Sequence, residues 1–215
     1  MKKLYLLAFF AIFVACTTDS DGGEFNASED CPVSARGTFV DERDGQIYKY
    51  TTIGGQVWMA ENLNYEIPGV TRDMYGTSCT AVNDNCDGRG LLYNYSSADT
   101  ACPKGWHLPS QDEWNALYGT MGGIEIAGER LKATEGWARG NRDDPPGGTD
   151  DCGFALLPAL ATNTTHEGYA SRLWSLSKKN NGRFFIEYFH SNQNDAVVGS
   201  SQLTSDAYSV RCLKN

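Results

Sequence analysis

Residues 102–114 (CPKGWHLPSQDEW) bring a histidine and two carboxylates into one short stretch. His107, followed by Asp112 and Glu113, offers the residue types for general acid–base catalysis, which also requires access to a proton. The setting favours a structural role, because His107 lies between bulky apolar neighbours just before a predicted helix. We therefore predict no catalytic residue here. His107 is expected to be packed and locally hydrogen-bonded, and the two acids to occupy a first helical turn.

A second concentration of charge lies in the polar loop 138–153 (ARGNRDDPPGGTDDCG). Carboxylates grouped among glycines can bind Ca²⁺, which takes about six to eight oxygen ligands. The candidate ligand or calcium loop therefore comprises Asp143, Asp144, Asp150 and Asp151. The simpler interpretation is that Asp150 or Asp151 accepts hydrogen bonds from backbone amides and holds the loop. No other metal or cofactor is expected, because the chain has no C-x-x-C and three scattered histidines.

Exposed aromatic rings would suit carbohydrate binding, because a flat ring face can stack on a sugar. Three aromatic residues in loop-like contexts are candidates for such stacking: Trp137, Tyr169 and Tyr75. For each of them taken singly, packing in the core is the favoured interpretation, and sugar stacking is the alternative.

The best-defined element is a helix that begins after Ser110. Glu113 follows at the spacing of a capping box. Apolar side chains then recur on one helical face at Trp114, Leu117, Tyr118 and Met121. Gly122-Gly123 ends this helix, and a second, weaker helix is predicted over Ile126–Ala133.

A hairpin is predicted from Gln46–Ile53 and Gln56–Leu63, because Gly54-Gly55 can adopt positive φ at both turn positions. Arg183–His190 carries apolar residues on both faces, which indicates a strand covered on both sides. Shorter strands are predicted at Thr38–Asp41, Leu91–Tyr95, Trp106–Leu108, Arg172–Ser177, Ala196–Gly199 and Ala207–Leu213. These elements define an α+β class with an antiparallel sheet, one or two helices, long loops and disulfides.

The N-terminus has the pattern of a bacterial lipoprotein. Two lysines precede an apolar run too short to span a membrane, which is typical of a signal peptide at residues 1–15. The run ends in Ala15-Cys16, so Cys16 is expected to be the lipidated first residue; ordinary cleavage after Ala15 is the alternative. Residues 16–37 are predicted to form an acidic tether, and residues 38–215 a single domain.

The chain has seven cysteines, of which six remain when Cys16 is set aside. An even number in an exported chain predicts disulfides. Cys79–Cys86 would close a short loop, and Cys102–Cys212 would tie the chain end to the middle of the domain. Cys31–Cys152 is the pair that remains.

The formal net charge is −9 at pH 7. The sequence has no basic stripe and no arginine-rich arm, so nucleic acid is disfavoured as a partner. An acidic surface fits a face presented outside a cell, although it specifies no partner.

Seven blocks run through the predicted domain: DGQIYKYTTIGGQVWMAENLNY (44–65), CDGRGLLYNYSSA (86–98), ACPKGWHLPSQDEW (101–114), AGERLKATEGW (127–137), GTDDCGFALLPA (148–159), LWSLS (173–177) and YSVRCLKN (208–215). In order and spacing they resemble the Fibrobacter succinogenes major paralogous domain (FISUMP) family, from about Thr38 to Asn215. The resemblance implies an exported domain, often on a lipoprotein. Four tryptophans of these blocks are expected in the core: Trp58, Trp106, Trp114 and Trp174. Cys152 departs from the family pattern, which supports Cys31–Cys152 as a bridge of this chain.

The LPS-x-x-EW core of residues 108–114 also resembles the LPT-x-x-EW block of formylglycine-generating-enzyme-like domains. That resemblance implies a C-type-lectin-like fold that ends in an arginine-bearing strand, here Val210-Arg211-Cys212. The enzymatic activity of such domains requires free cysteines. It is not expected here, because Cys102 and Cys212 are predicted to be bridged.

One hypothesis of function and two alternatives follow. We expect a bacterial outer membrane lipoprotein, periplasmic or surface-exposed and held at the membrane by its lipid anchor. Its lectin-like domain would serve binding or adhesion, with a polysaccharide or a surface protein as ligand. The alternatives are an exported carbohydrate-active enzyme, which is the less favoured class, and a structural envelope component without a small ligand.

Overall fold

The computed structural model describes residues 24–67, 89–138, 147–159, 168–201 and 206–215. Within these ranges the chain forms an α+β fold with two largely antiparallel sheets, four α-helices and two disulfides. The helices are α1 (Ala27–Asp30), α2 (Tyr95–Ala101), α3 (Gln111–Thr120) and α4 (Ile124–Leu131), with a 3-10 turn at Val33–Ala35. The strands are β1 (Gly37–Val40), β2 (Ile47–Ile53), β3 (Gln56–Met59), β4 (Leu92–Asn94), β5 (Trp106–His107), β6 (Ala170–Lys178), β7 (Phe184–His190), β8 (Val197–Ser201), β9 (Ala207–Ser209) and β10 (Leu213–Lys214). No helix in the described ranges has the length and apolar composition needed to cross a membrane.

The first sheet has the strand order β1-β2-β3-β10-β5, and its neighbouring strands are antiparallel. The predicted hairpin is confirmed: Gly54 and Gly55 have φ values of 55° and 83°, a region that favours glycine. Strand β3 ends at Met59 rather than at Leu63. The Ala60 N–H still donates to the Lys49 carbonyl of β2 at 2.8 Å, and the chain then turns to the C-terminal segment. The Leu63 N–H donates to the Val210 carbonyl at 2.8 Å.

The second sheet has the order β4-β9-β6-β7-β8 and is antiparallel except where β6 lies beside β9. Strand β7 is covered on both faces over part of its length, as predicted. Phe184 and Ile186 belong to one apolar cluster with Trp174. Phe189 points to the opposite side, into a cluster that contains Trp114. The second sheet therefore separates two apolar cores.

The last predicted strand, Ala207–Leu213, is in fact two strands in different sheets. Strand β9 belongs to the second sheet and β10 to the first, and residues 210–212 carry the chain between them. Arg211 lies at this crossing, and its side chain is fully buried. Its Nη2 donates to Asn62 Oδ1 at 2.8 Å, and its Nη1 donates to the Phe154 carbonyl. A buried guanidinium requires such partners, so the chain turns inward here instead of extending one ladder.

Helix α3 has the predicted capping box. Ser110 Oγ accepts from the Glu113 N–H at 3.4 Å, and Glu113 Oε2 accepts from the Ser110 N–H at 2.7 Å. The apolar face of the helix is buried as expected, with Trp114 and Leu117 at 0% exposure. Local spacing therefore defines both the start and the orientation of this helix.

The other two longer helices differ from expectation. Helix α4 begins at Ile124 rather than Ile126, directly after Gly123, whose φ is 110°. Helix α2 is not predicted by the sequence pattern, since Tyr95 ends an apolar run typical of a strand. Asn94 nevertheless caps the helix, because its side chain accepts from the Ser97 N–H at 3.0 Å.

We expect Ser110→Ala to lower the free energy of unfolding by about 1 kcal/mol, because the first turn of α3 loses its side-chain acceptor. Urea denaturation followed by circular dichroism measures this change. Ser110→Thr retains a hydroxyl acceptor and is the matched control, with a smaller expected loss. Equal stability of the alanine variant and the wild type would show that this capping box does not stabilise the domain.

Two of the predicted disulfides are confirmed, Cys31–Cys152 and Cys102–Cys212. The third predicted pair, Cys79–Cys86, lies outside the described residues, as does Cys16. The Cys31 bridge holds part of the predicted tether on the domain, where Phe25 also packs against the core. Residues 24–37 therefore belong to the folded unit, and its boundary lies before residue 38.

Candidate functional site

An open groove of about 550 Å³ lies on one face of the second sheet. Its walls carry Arg172 from β6, Tyr188 from β7 and Tyr208 from β9, and Asp206 lies at one end. The volume falls within the range of about 300–1,000 Å³ that is usual for small-ligand sites. Among the residues described, this is therefore the strongest candidate for a binding site.

Strand register places these side chains on the same face. Arg172 lies directly opposite Tyr188, and Ile186 lies opposite Gly199. Since side chains alternate across a strand, these positions share one face of the sheet. A Cβ atom at Gly199 would lie 3.0 Å from Ile186 Cγ1, so glycine leaves room at the floor of the groove.

The same face continues into the core at its other end. Trp174, two residues beyond Arg172, is fully buried, and its ring centroid lies 4.6 Å from that of Tyr208. The Trp174 Nε1 donates to the Tyr93 carbonyl at 2.6 Å. The Tyr208 ring, which lines the groove, therefore packs against a fully buried tryptophan.

The groove adjoins a row of rings. The Arg172 guanidinium carbon lies 5.2 Å from the Tyr188 ring centroid and 5.7 Å from that of Tyr208. The Tyr188 ring is 6.1 Å from the His190 ring, which in turn is 6.4 Å from the Tyr169 ring. Tyr169, a candidate from the sequence, therefore stands at the end of a row that begins in the groove. Pairing of β6 with β7 brings Tyr169 and Arg172 close to His190 and Tyr188, although the two pairs of residues lie in different parts of the sequence.

The charges in the groove have unequal surroundings. Asp206 Oδ2 accepts hydrogen bonds from the Tyr208 hydroxyl at 3.2 Å and from the Ser201 hydroxyl. Burial, together with the negative charge of Asp206, raises the pKa of Tyr208 above its ordinary value, so this phenol stays protonated and donating. Arg172 forms no ion pair with any residue in the described part of the chain.

The possible stacking residue Trp137 is packed in the core, in agreement with the favoured interpretation. Its side chain is 5% exposed, and its Nε1 donates to the Leu156 carbonyl at 2.9 Å. A bridge between Lys132 and Leu156 brings the downstream segment over this tryptophan, a contact that local composition does not reveal. Trp137 is therefore a core residue. Tyr75 lies outside the described residues.

The acidic loop holds its own backbone, as the simpler interpretation predicts. Asp150 has a φ of 48°, and its Oδ1 accepts from the Ala155 N–H at 2.7 Å. Burial raises the pKa of Asp150. Asp151 Oδ2 lies 3.6 Å from Arg130 Nε. Asp143 and Asp144 lie outside the described residues, within which no group of three or more metal-ligating side chains occurs.

His107 is locally hydrogen-bonded, as predicted. Its Nε2 lies 2.9 Å from Glu113 Oε1, and its Nδ1 lies 2.6 Å from Asn215 Oδ1. Burial opposes ionisation of Glu113, but hydrogen bonds from Ser110 and His107 outweigh it and lower the pKa of this carboxyl. The histidine thus links helix α3 to the end of the chain.

The sequence pattern misses three of the groove residues. Tyr188 alternates with Phe184 and Ile186 and is therefore assigned to a covered face, while Arg172 and Tyr208 stand at strand positions without a local motif. Their position on predicted strands gave no indication that they lie side by side, because the pairing of β6 with β9 was not predicted.

Fold and groove together define a disulfide-linked α+β domain with an open groove lined by aromatic rings. The match to a family model extends over residues 51–214, and the chain belongs to the Fibrobacter succinogenes major domain family. This membership indicates a domain of an extracellular or cell-envelope protein. No curated protein and no solved structure was found to match the chain.

Proposed function

We propose that this chain is an exported lipoprotein of the bacterial outer membrane, lipidated at Cys16, whose domain binds carbohydrate at the cell envelope. Family membership supports a location in the cell envelope. Two disulfides support an oxidising compartment. A C-type-lectin-like arrangement belongs to this proposal, and it is supported by the α+β organisation and by the disulfide that holds the chain end.

The groove is the observation that carries the proposal. A sugar has an apolar face of C–H groups and a rim of hydroxyls, so its site combines ring faces with polar acceptors and donors. Tyr188 and Tyr208 supply the rings. Asp206 supplies acceptor oxygens on the same surface. An open groove, continued by a row of rings as far as Tyr169, fits an internal segment of a polysaccharide chain better than a single sugar. Adhesion to such a chain is the role we propose.

Tyr188→Ala is expected to weaken binding of the recognised glycan by about thirtyfold, because truncation of an aromatic anchor costs about 2 kcal/mol. A glycan array with the purified protein identifies the ligand, and isothermal titration calorimetry then measures the dissociation constant. Tyr50→Ala is the matched control, since Tyr50 is a partly exposed tyrosine on the first sheet. It should bind as the wild type does.

Two outcomes would contradict the proposal. One is the absence of binding by the wild type to any neutral or acidic glycan on the array. The other is a Tyr188→Ala variant that remains folded and binds with unchanged affinity. Equal weakening by Tyr188→Ala and Tyr50→Ala would point to a loss of stability, which the melting temperatures of the two variants would reveal.

A further inference from the structure

Arg172 is the most informative residue of the groove. Its guanidinium lies near the rings of both Tyr188 and Tyr208. It has neither an ion pair nor a hydrogen bond to another side chain in the part of the chain that the structure describes. Two rings restrict the side chain without using its five N–H donors. The groove therefore holds an oriented cation whose side-chain N–H donors are not used by the residues that the structure describes.

The geometry points to a ligand that carries a carboxylate: we infer that the groove binds an acidic saccharide of the uronic acid type. This inference rests on the proposed carbohydrate-binding function and specifies its ligand. A guanidinium matches a carboxylate through two parallel hydrogen bonds, which a neutral hydroxymethyl group cannot form. The tyrosine rings then contact the sugar face.

Asp206 would allow the groove to distinguish a sugar acid from a simple anion. Its Oδ2 already accepts from Ser201 and Tyr208, whereas Oδ1 has no partner within the described residues. That oxygen can accept a hydrogen bond from a sugar hydroxyl. Repulsion by the Asp206 carboxylate and by the net charge of −9 acts on both anions. Inorganic phosphate differs in having no ring of hydroxyl donors for Asp206 and no C–H face for the tyrosine rings. The pair Arg172 and Asp206 thus matches a ring with both a carboxylate and hydroxyl groups.

The floor of the groove supports the same ligand class. Ile186 and Gly199 line the groove on the side of the sheet, where a Cβ on Gly199 would approach Ile186 closely. A pyranose ring can lie against such a floor with its substituents directed to the walls. The carboxylate would then reach Arg172 on β6, and the hydroxyls would reach Asp206 at the end near β9.

The test compares hexuronate oligosaccharides with their carboxyl-reduced counterparts, which have the same linkages and no charge. Calorimetry with the wild-type protein should give a dissociation constant roughly tenfold or more lower for the acidic form, as expected for charge-assisted hydrogen bonds. Arg172→Gln should remove this preference, because it should weaken binding of the acidic form far more than binding of the neutral form. Arg172→Lys should keep part of the preference, because it keeps the charge without the planar fork.

Arg183→Gln is the control for net charge, since Arg183 also lies in the second sheet's hairpin region but outside the groove lining. It should keep the full preference for the acidic form. Inorganic phosphate serves as a competitor and should not displace the oligosaccharide at comparable concentration. Displacement by phosphate would show a simple anion site and overturn the inference.

Equal affinity of the wild type for the acidic and reduced forms would overturn the inference without any variant. A preference that survives Arg172→Gln would overturn it as well. In both cases, binding of the neutral form that depends on Tyr188 would leave the proposed carbohydrate-binding function standing. No binding of either form would overturn the inference, and only failure across the whole glycan array would also remove the proposed function.

Discussion

Replacing Cys102 and Cys212 together by alanine is expected to lower the free energy of unfolding by about 4 kcal/mol. The two cysteines are 110 residues apart, and a cross-link that closes a loop of this length removes much conformational entropy from the unfolded chain. Alanine is preferred to serine because Cys212 is fully buried, so that a hydroxyl there would add its own desolvation cost.

The folded state also depends on this bridge. Strand β10 has two residues and lies between β3 and β5, so few ladder hydrogen bonds hold it. Cys212 lies immediately before it and is fastened to the end of helix α2 by the disulfide. Loss of the bridge would therefore leave a central strand of the first sheet weakly held.

Guanidinium denaturation, followed by tryptophan fluorescence and by circular dichroism, measures the effect. The matched control replaces Cys31 and Cys152, which are separated by 121 residues. Loop entropy alone predicts nearly equal losses for the two bridges. We expect the Cys102–Cys212 pair to cost more, since it also secures β10. A loss below about 1 kcal/mol would show that this bridge contributes little.

Stability should also fall as the pH rises from about 4.5 to about 7, because of Glu187. This carboxyl is 0% exposed, and its Oε2 accepts from the Tyr118 hydroxyl at 2.6 Å. Burial raises the pKa of Glu187 from its ordinary value of 4.5 to about 7, although the hydrogen bond from Tyr118 opposes the change. The folded protein therefore retains a proton that the unfolded chain has lost over this interval.

The direction in which the free energy of unfolding changes with pH follows from proton linkage. A state that binds more protons is favoured at low pH, so the stabilisation is complete below pH 4.5 and is lost as the pH rises through about 7. The shift corresponds to a decline of about 3 kcal/mol in the free energy of unfolding over that range. Above it, the contribution of Glu187 should no longer change.

Glu187→Gln should flatten this part of the pH profile. Glutamine keeps an acceptor for the Tyr118 hydroxyl and carries no charge, so above pH 7 the variant should be at least as stable as the wild type. Urea denaturation at a series of pH values measures the difference between the two proteins. Glu125→Gln, on an exposed position of helix α4, controls for removal of one carboxylate. Parallel wild-type and Glu187→Gln profiles would show that Glu187 does not carry the decline.

Prediction from the sequence succeeded where the determining contacts are local. Ser110 and Glu113 lie one helical turn apart, and Gly54-Gly55 lies between two strands that pair across it, so short-range spacing suffices. For Trp137 the sequence left stacking open beside the favoured packing, because its burial depends on a bridge between Lys132 and Leu156. The sequence pattern also predicted β9 and β10 as one strand, because no periodicity marks the point where the chain passes from one sheet to the other.

By itself, the sequence determined the α+β class, the capped helix, the family and two cysteine pairs that the fold contains. Only the tertiary structure decided where a ligand could bind. Arg172, Tyr188 and Tyr208 come from three strands, and they meet because β6 pairs with β7 on one side and with β9 on the other. Strand register over long separations depends on how the whole chain packs, and no short stretch encodes it.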